Sequence, residues 1–397
     1  MEKLPWGTNS QLKNDEFYNR IDDIEHLKNF LETTSLGTPP TILLSGIRGI
    51  GKTALLKKIK NEMDSDYLIA YLDLSHSYSY QVGELDEIAL MQYFYTAWID
   101  ACSKKHLKRF IPRIKEYFQK NKFHFEKIIE FGDYPIPIPE IKDDYSGLLN
   151  LVLNLPQKIY EENQNQIKGV IMIIDEFQVL KDLGKNLDSF LWFFRSIIQS
   201  QRNVAYIFSG SLNSKDTIIE KISGKTGAFG GRMLTFPINP FTKETVKNYL
   251  NERLKSLNFE DDGFERFYSC TKGIPYYVNT FANLLPKNLQ LNDKTVKKEF
   301  INSLPFLADH LKQLWGGLDL VEQKIITTII NDVTERKMIA NELNRTSGSL
   351  SRHLNKLQNI GFIENMGNGK YGISETILKA WLKKEYKDKG VFPYRIS

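Results

Sequence analysis

The chain has 397 residues, of which 41% are hydrophobic and 25% are charged. These values are typical of globular proteins, exclude a disordered chain and allow two or three domains with their own cores. The two cysteines, Cys102 and Cys270, lie far apart and in no metal-binding spacing, which favours a reducing compartment over a secreted disulfide scaffold. The sequence has neither a signal-peptide pattern nor an apolar run approaching the ~20 residues of a membrane span. We therefore expect a cytoplasmic protein that makes no membrane contact.

The net charge of +5 is unevenly distributed along the chain. Residues 321–397 contain 13 Lys or Arg and 8 Asp or Glu, so the first 320 residues have no net charge. A local surplus of cations indicates where an anionic partner binds. We expect such a partner, if there is one, at the C-terminal fifth of the chain.

The first predicted elements are a helix over residues 17–34 and a short buried strand, TILLSG, followed by a glycine-rich loop and the helix TALLKKIKNEM. Gly46 and Gly51 bracket four residues and precede Lys52 and Thr53, which fits the phosphate-loop pattern G-x-x-x-x-G-K-[ST] in full. Backbone N–H groups of such a loop bind a β-phosphate, the lysine reaches the β- and γ-phosphates, and the threonine hydroxyl binds Mg²⁺. The predicted nucleotide-binding residues are Gly46, Ile47, Arg48, Gly49, Ile50, Gly51, Lys52, Thr53 and Ala54.

A second strand is predicted over residues 67–75, and residues from about 84 to 165 are predicted to form a mostly helical insert. The segment GDYPIPIPEI within this insert excludes a helix and a central strand because it contains three prolines. Further apolar strands at 169–180, 203–211 and 232–238 alternate with helices. This alternation indicates a parallel sheet covered on both faces.

Two carboxylates, Asp175 and Glu176, end the third predicted strand. Asp175 is predicted to bind Mg²⁺ beside the Thr53 hydroxyl. Glu176 is predicted to orient or deprotonate an attacking water; the alternative is a helix N-cap or a surface acid. No base-reading N-K-x-D motif follows the loop, which favours ATP over GTP.

Five motifs together resemble those of the archaeal-type ATPases, which belong to the STAND branch of AAA+-related P-loop NTPases. They are GIRGIGKT, IMIIDEFQ, FSGS, GGR before the fifth strand, and GIP in the helical region. The N-terminal segment FYNRIDDIEHL is similar to a box of that family in which an arginine lies near the nucleotide. The resemblance covers residues 15–385; its first two motifs are specific, whereas the others are weak alone.

The resemblance implies roles for four further residues. Ser211 corresponds to a sensor of the γ-phosphate, with Ser209 as the rival. Arg232 corresponds to a charge that reaches the γ-phosphate in cis or from another subunit, and Arg20 to the box arginine; the alternative for both is a surface charge. Pro275 lies in the motif that couples a helical lid to the nucleotide. The lid sequence GIPYYV lacks the arginine of standard AAA+ lids, which agrees with the STAND branch and argues against strong ring-type hydrolysis.

The region 321–382 is predicted to form a winged helix of three helices and a hairpin, with Asn368-Gly369 suited to a type I′ turn. Three leucines of the third helix, at 350, 354 and 357, are predicted to face inward. The opposite face and the wing carry the candidate DNA-binding residues. These are Arg345, Ser349, Arg352, Asn355, Lys356 and Lys370. A solvated face on a protein-docking module is the alternative.

The sequence therefore predicts an α/β fold with a parallel P-loop sheet of the ASCE type and helices on both faces. The predicted domains are a P-loop ATPase domain at 1–240, a helical lid at 241–315 and a winged helix at 316–397. The predicted function is an ATP- and Mg²⁺-dependent, slowly hydrolysing switch that acts on duplex DNA or a protein, with nucleotide-dependent oligomers as an option. The alternatives are an origin-binding ATPase similar to the archaeal initiators and a nucleotide-binding scaffold with little turnover.

Overall fold

The computed structural model describes residues 4–6, 12–13, 16–107, 124–131, 134–140, 145–210, 222 and 227–395. The strands in chain order are β1 (Thr41–Ser45), β2 (Tyr67–Asp73), β3 (His124–Phe131), β4 (Tyr134–Glu140), β5 (Gly169–Asp175), β6 (Val204–Ser209), β7 (Leu234–Pro237), β8 (Asn258–Phe259), β9 (Gln290–Leu291), β10 (Ile363–Gly367) and β11 (Lys370–Ile373). No helix within these ranges is both long and apolar enough to cross a bilayer.

The helices in chain order are α1 (Ile21–Glu32), α2 (Lys52–Met63), α3 (Tyr78–Gln81), α4 (Glu87–Lys104), α5 (Tyr145–Asn163), α6 (Leu187–Ile198), α7 (Lys243–Arg253), α8 (Asp261–Thr271), α9 (Pro275–Leu284), α10 (Asp293–Leu307), α11 (Asp309–Gly316), α12 (Leu320–Ile330), α13 (Arg336–Glu342), α14 (Ser351–Asn359) and α15 (Thr376–Lys389). Short 3₁₀ segments follow α1, β2 and β5; the last of them spans Phe177–Asn186.

A five-stranded parallel sheet in the order β2-β5-β6-β1-β7 forms the centre of the N-terminal region. Alternate residues of its strands face opposite cores: Met172 packs with α4, α5 and α6, whereas Ile171 and Ile173 pack with α1 and α2. The prediction of a parallel sheet with helices on both faces is confirmed. Strand β1 leads to the phosphate loop and β5 carries the acidic pair, with β6 between them. Because these strands are parallel, both motifs lie at the carboxyl edge of the sheet.

The insert between β2 and β5 contains two long helices, and its described residues also include a strand pair that the sequence did not predict. The helices are α4 and α5, and β3 and β4 form an antiparallel pair between them. Pro135, Pro137 and Pro139 occupy alternate positions of β4, so their missing N–H groups all lie on one edge and leave the other edge to pair with β3. Each strand of a two-stranded sheet is an edge strand, which is why the exclusion of a central strand still holds.

Helices α7 to α11 form the predicted lid, to which the structure adds a short parallel pairing of β8 with β9. The C-terminal module (residues 320–389) contains α12, α13, α14, the β10–β11 hairpin and α15. Asn368 and Gly369 have φ values of 50° and 71°, as the predicted type I′ turn requires. The lid and the C-terminal module share one hydrophobic core, in which Phe281 and Trp381 are both buried. The predicted boundary at residue 315 therefore does not separate two cores, and the division into domains stays a prediction.

Candidate functional site

The phosphate loop joins the end of β1 to the start of α2. Gly49 and Gly51 have φ values of 78° and 97°, a left-handed conformation in which an L side chain is strained. Gly51 is the N-cap of α2 and accepts a backbone hydrogen bond from Leu55. Ile47 lies exposed at the loop tip, whereas Ile50 is buried in the core beneath it. The loop therefore presents backbone donors and a helix N-terminus to the same place, an arrangement that suits a phosphate group.

Lys52, the first residue of α2, is buried. Its Nζ donates to the carbonyl oxygens of Gly46 at 2.7 Å and Ile47 at 3.1 Å. Burial lowers the pKa of Lys52 to about 8, although the nearby carboxylates of Glu176 and Asp175 favour the charged form. The loop thus holds a cation that is mostly protonated at neutral pH and that a phosphate could draw away from the carbonyls.

Asp175 is the centre of a hydrogen-bonded cluster at the end of β5. Its Oδ2 accepts from the Thr53 hydroxyl at 2.7 Å and from the Tyr71 hydroxyl at 2.8 Å, while its Oδ1 accepts from the backbone N–H of Glu176 at 3.0 Å. A hydroxyl and a carboxylate in direct contact provide the oxygen ligands that Mg²⁺ prefers. The residues predicted for Mg²⁺, Thr53 and Asp175, are therefore brought together and fit the ion.

Sequence reasoning missed Tyr71, which lies on β2. Strand β2 pairs with β5 in register, so that Tyr71 is opposite Ile173 and Asp73 is opposite Asp175. Burial and the neighbouring Asp175 carboxylate raise the pKa of Tyr71 well above its usual value, so its hydroxyl remains a donor. Only the strand order identifies this tyrosine, because 104 residues separate it from Asp175 in the sequence.

Glu176 follows β5 in a left-handed backbone conformation, with φ of 53° and ψ of 40°. It makes no capping hydrogen bond to the 3₁₀ segment after it, and it is half-buried. Glu176 therefore occupies the N-cap position of that segment without capping it through its side chain, and its role as a base stays a prediction. Burial is the main cause that raises the pKa of its carboxyl, and Asp175 raises it further. A carboxylate with raised proton affinity beside a phosphate loop is suited to general-base chemistry.

Arg20 is held against the phosphate loop from outside. It precedes α1 and has φ of 69°; its guanidinium donates to the backbone carbonyls of Ile50 at 3.1 Å and Asn239 at 2.7 Å. It also pairs with Asp23 at 3.2 Å and lies over the Phe241 ring at 4.8 Å. These contacts make Arg20 a brace for the loop backbone rather than an exposed surface charge.

The structure separates Arg232 from the phosphate loop. Arg232 is exposed just before the amino end of β7, whereas the phosphate loop follows the carboxyl end of β1, the strand that pairs in parallel with β7. Ser211 lies outside the described residues. Its rival Ser209 ends β6 and is buried, and its Oγ has no hydrogen-bond partner in the described part of the chain.

The predicted lid motif contacts the phosphate loop directly. Pro275 opens α9, and the next residue, Tyr276, donates its backbone N–H to the Gly49 carbonyl at 3.2 Å. Burial is the main cause that lowers the pKa of His310, on α11, to about 4. The nearby charge of Arg48 on the loop lowers it further. The His310 ring packs against the Tyr276 ring with centroids 5.0 Å apart. The loop, α9 and α11 therefore meet at one contact.

The candidate DNA face has fewer unpaired cations than the sequence suggested. Lys356 pairs with the buried carboxylate of Glu322 at 2.7 Å, and Lys370 pairs with Glu335 at 3.6 Å. The other candidate residues are exposed, and the Ser349 hydroxyl donates to a backbone carbonyl. These other residues are Arg345, Ser349, Arg352 and Asn355. The face thus centres on Arg345, in the turn after α13, and on Arg352, in the first turn of α14.

Two uncharacterized ATP-binding proteins of Methanocaldococcus jannaschii are similar to the chain. One is 25% identical over 336 residues, which are 79% of this chain and 84% of the relative. The other is 22% identical over 352 residues, which are 82% and 88% of the two chains.

Solved structures with a similar fold include a Walker-type ATPase of Pyrococcus abyssi, with a TM-score of 0.63 and 17% identity over 95% of this chain and 99% of that chain. The ORC2 protein of Aeropyrum pernix has a TM-score of 0.50 and 11% identity, over 94% and 96% of the two chains. These likenesses establish the shared fold. The model of a family described as an ATPase domain predominantly from Archaea matches residues 17–281, more than half of the sequence. The chain therefore belongs to this family of archaeal P-loop ATPases.

Proposed function

We propose that this protein is a slowly hydrolysing ATP switch of the STAND type, whose nucleotide state positions the C-terminal module as a winged helix. Family membership and the ATP-binding relatives support the nucleotide part of the proposal. The direct contacts among the phosphate loop, the lid and the C-terminal module support the switch part.

One observation carries the switch: neighbouring residues of α9 bridge the phosphate loop and the last helix. Tyr276 donates to Gly49 of the loop at 3.2 Å. The hydroxyl of Tyr277, the next residue, is hydrogen bonded to the Glu375 side chain. That carboxylate in turn caps α15 by accepting from the backbone N–H of Ile377 at 3.1 Å. A movement of the loop on nucleotide binding would reach α15 through one short helix.

In the proposed reaction, a water oxygen attacks the γ-phosphorus while the Glu176 carboxylate takes its proton. The bond from that phosphorus to the bridging oxygen breaks, and ADP leaves with the electron pair. Lys52 turns from the loop carbonyls to the β- and γ-phosphates and balances their charge. Thr53 and Asp175 would hold Mg²⁺, which supplies further charge compensation when it is bound.

Duplex DNA is the partner that we propose for the C-terminal module. Two arginines are exposed here, Arg345 in the turn after α13 and Arg352 in the first turn of α14, and an arginine can bind both base edges and phosphates. The module, with 12 Lys or Arg and 8 Asp or Glu, also carries most of the positive surplus of the chain. A protein partner is the alternative if duplex DNA does not bind.

The nucleotide part is tested by the binding of a fluorescent ATP analogue and by phosphate release. Lys52→Ala should abolish binding, because backbone donors alone leave the phosphate charge under-compensated. Glu176→Gln should bind normally and lose ~10²–10⁴-fold in turnover, the usual share of a general base. Glu84→Gln, which changes an exposed glutamate, is the matched control. Full binding by Lys52→Ala would refute the phosphate-loop assignment, and normal turnover by Glu176→Gln would refute the base.

The switch part is tested by hydrogen exchange of α15 with and without the ATP analogue. The parent protein should change its protection there when nucleotide binds. Tyr277→Phe removes only the hydroxyl that contacts Glu375, so it should keep nucleotide binding and lose that change. Tyr386→Phe, at an exposed position of α15, should behave as the parent does. A nucleotide-dependent change that persists in Tyr277→Phe would refute this route.

A further inference from the structure

The proposed reaction leaves one residue of the IMIIDEFQ motif without a role. Gln178 lies two residues after Glu176, in the 3₁₀ segment that follows β5. Its Nε2 donates to the Glu176 Oε2. Its Oε1 is buried and has no hydrogen-bond partner among the described residues.

The orientation of this amide follows from the chemistry of its neighbour. An ionised carboxylate only accepts hydrogen bonds, so the NH₂ group of Gln178 is the one that contacts Glu176, and the carbonyl oxygen is left to accept from another donor. A buried acceptor without a donor is rare in native proteins and marks a place where water or a ligand supplies the missing hydrogen. Here that place adjoins the carboxylate that is proposed to take a proton from water.

We propose that Gln178 is a second catalytic contact of the attacking water. The water donates one hydrogen to the Gln178 Oε1 and the other to Glu176, which accepts it as a proton when the oxygen attacks the γ-phosphorus. The Nε2 group of the same amide keeps the Glu176 carboxylate at the distance this shared water requires. The inference rests on the proposed function of Glu176 as the base.

The surroundings of Glu176 support this division of roles. Lys52 is bonded to the loop carbonyls of Gly46 and Ile47, so the amide of Gln178, and not the lysine, holds the carboxylate. The hydrogen bond from Gln178 lowers the pKa of the Glu176 carboxyl, against the effects of burial and of Asp175. One side chain thus orients the base and also keeps part of it ionised.

The test compares Gln178→Ala and Gln178→Glu with the parent protein in ATP turnover and in affinity for the fluorescent analogue. Both variants should bind the analogue with an unchanged dissociation constant and lose about 10²-fold in kcat. Gln178→Glu keeps the shape of the side chain but loses the donor to Glu176 and places a like charge beside it, so it should not restore kcat.

Gln201→Ala is the matched structural control. Gln201 also makes buried hydrogen bonds, to the Leu153 carbonyl and the Tyr206 hydroxyl, but it lies at the amino end of β6. Its loss should lower the melting temperature and leave kcat close to that of the parent. If Gln178→Ala behaves in the same way and keeps the parent kcat, Gln178 is structural and the inference is overturned.

The outcomes separate this inference from the proposed function. Loss of turnover in Glu176→Gln with parent-like activity in both Gln178 variants would overturn only the role of Gln178. Parent-like turnover in Glu176→Gln would overturn the base itself and this inference with it. A kcat that falls in Gln178→Ala but is restored in Gln178→Glu would overturn the claim that Gln178 orients Glu176 through its NH₂ group.

Discussion

Gly49 and Tyr276 are in direct contact where the phosphate loop meets the lid. The backbone N–H of Tyr276 donates to the Gly49 carbonyl at 3.2 Å. A Cβ atom added to Gly49 would lie only 2.8 Å from the Cβ of Tyr276. The loop and α9 are therefore packed so closely that a nucleotide which moves one has to move the other.

Gly49→Ala should separate the loop from the lid. The substitution combines a left-handed backbone, at φ of 78°, with a clash against Tyr276. Gly83 has nearly the same φ, 76°, but open space around it, so Gly83→Ala measures the backbone cost alone, about 1–2 kcal/mol. Urea unfolding should show a larger loss for Gly49→Ala, and titration with the ATP analogue should show at least tenfold weaker binding. Equal losses with unchanged affinity would contradict the close packing.

Nucleotide affinity should fall as the pH rises above 8. The lowered pKa of Lys52, about 8, means that the free protein loses this proton in mildly alkaline solution. Bound phosphates favour the ammonium, so binding above pH 8 takes up a proton, and affinity should approach a tenfold loss per pH unit. Calorimetry in two buffers of different ionisation enthalpy at pH 8.5 should detect the uptake. Lys52→Arg, which stays charged, should show no proton uptake on binding. Proton uptake by that variant would mean that a group other than Lys52 takes up the proton.

Arg20 should stabilise the phosphate loop through its backbone contacts. Arg20→Ala removes hydrogen bonds to the carbonyls of Ile50 and Asn239, and bonds to a charged group contribute about 1.5–3 kcal/mol each. We expect Arg20→Ala to lower the free energy of unfolding in urea by about 1.5–3 kcal/mol. The ATP analogue should also bind more weakly to this variant. Arg202→Ala, at an exposed position, should change stability by less than about 0.5 kcal/mol. If Arg20→Ala changes the free energy of unfolding equally little, Arg20 is a surface charge that does not stabilise the loop.

DNA binding by the C-terminal module should depend on Arg345 and Arg352. If these two arginines neutralise phosphates, log affinity should fall against log salt with a slope of about −2. The double variant Arg345→Ala with Arg352→Ala should weaken duplex binding and flatten that slope by about two. The double variant Lys383→Ala with Lys387→Ala removes the same charge from exposed positions of α15 and should change the slope less. If the protein does not bind duplex DNA at low salt, the DNA proposal is refuted and the partner of the module is a protein.

Lys356 is a poor choice for that experiment because of its partner. It pairs with Glu322, whose side chain is only 3% exposed. Lys356→Ala would leave a buried carboxylate without its lysine partner and should loosen the contact between α12 and α14. Thermal unfolding should therefore distinguish Lys356→Ala, which destabilises, from Arg352→Ala, which does not.

Arg232 should act, if at all, on the nucleotide of another subunit. It precedes the amino end of β7, whereas the phosphate loop follows the carboxyl end of β1, so we do not expect it to contact its own γ-phosphate. An arginine from a neighbouring subunit contributes ~10³–10⁵ to hydrolysis, so Arg232→Ala should slow turnover strongly with little loss of binding. Specific activity of the parent should then rise with protein concentration. Constant specific activity from a protein that stays monomeric would exclude this role.

The sequence alone was sufficient to predict the phosphate loop, its flanking strand and helix, and the Asp175-Glu176 pair. These features are local: glycines permit the loop dihedrals, and the helix begins at the next residue. The parallel sheet also followed, because apolar strands that alternate with helices can bury both faces in few other ways. The β3–β4 pair was missed since its prolines exclude a central strand but not a two-stranded pair.

The tertiary structure decided which distant residues complete the site. Tyr71 reaches Asp175 because β2 and β5 are neighbours in the sheet, and Arg20 braces the loop across 30 residues of sequence. Lys356 is engaged by a carboxylate 34 residues away, so a cation that looked available in the sequence is not. Such contacts depend on strand order, helix packing and burial, and each of these is set by the whole fold rather than by the residues next to it in the chain.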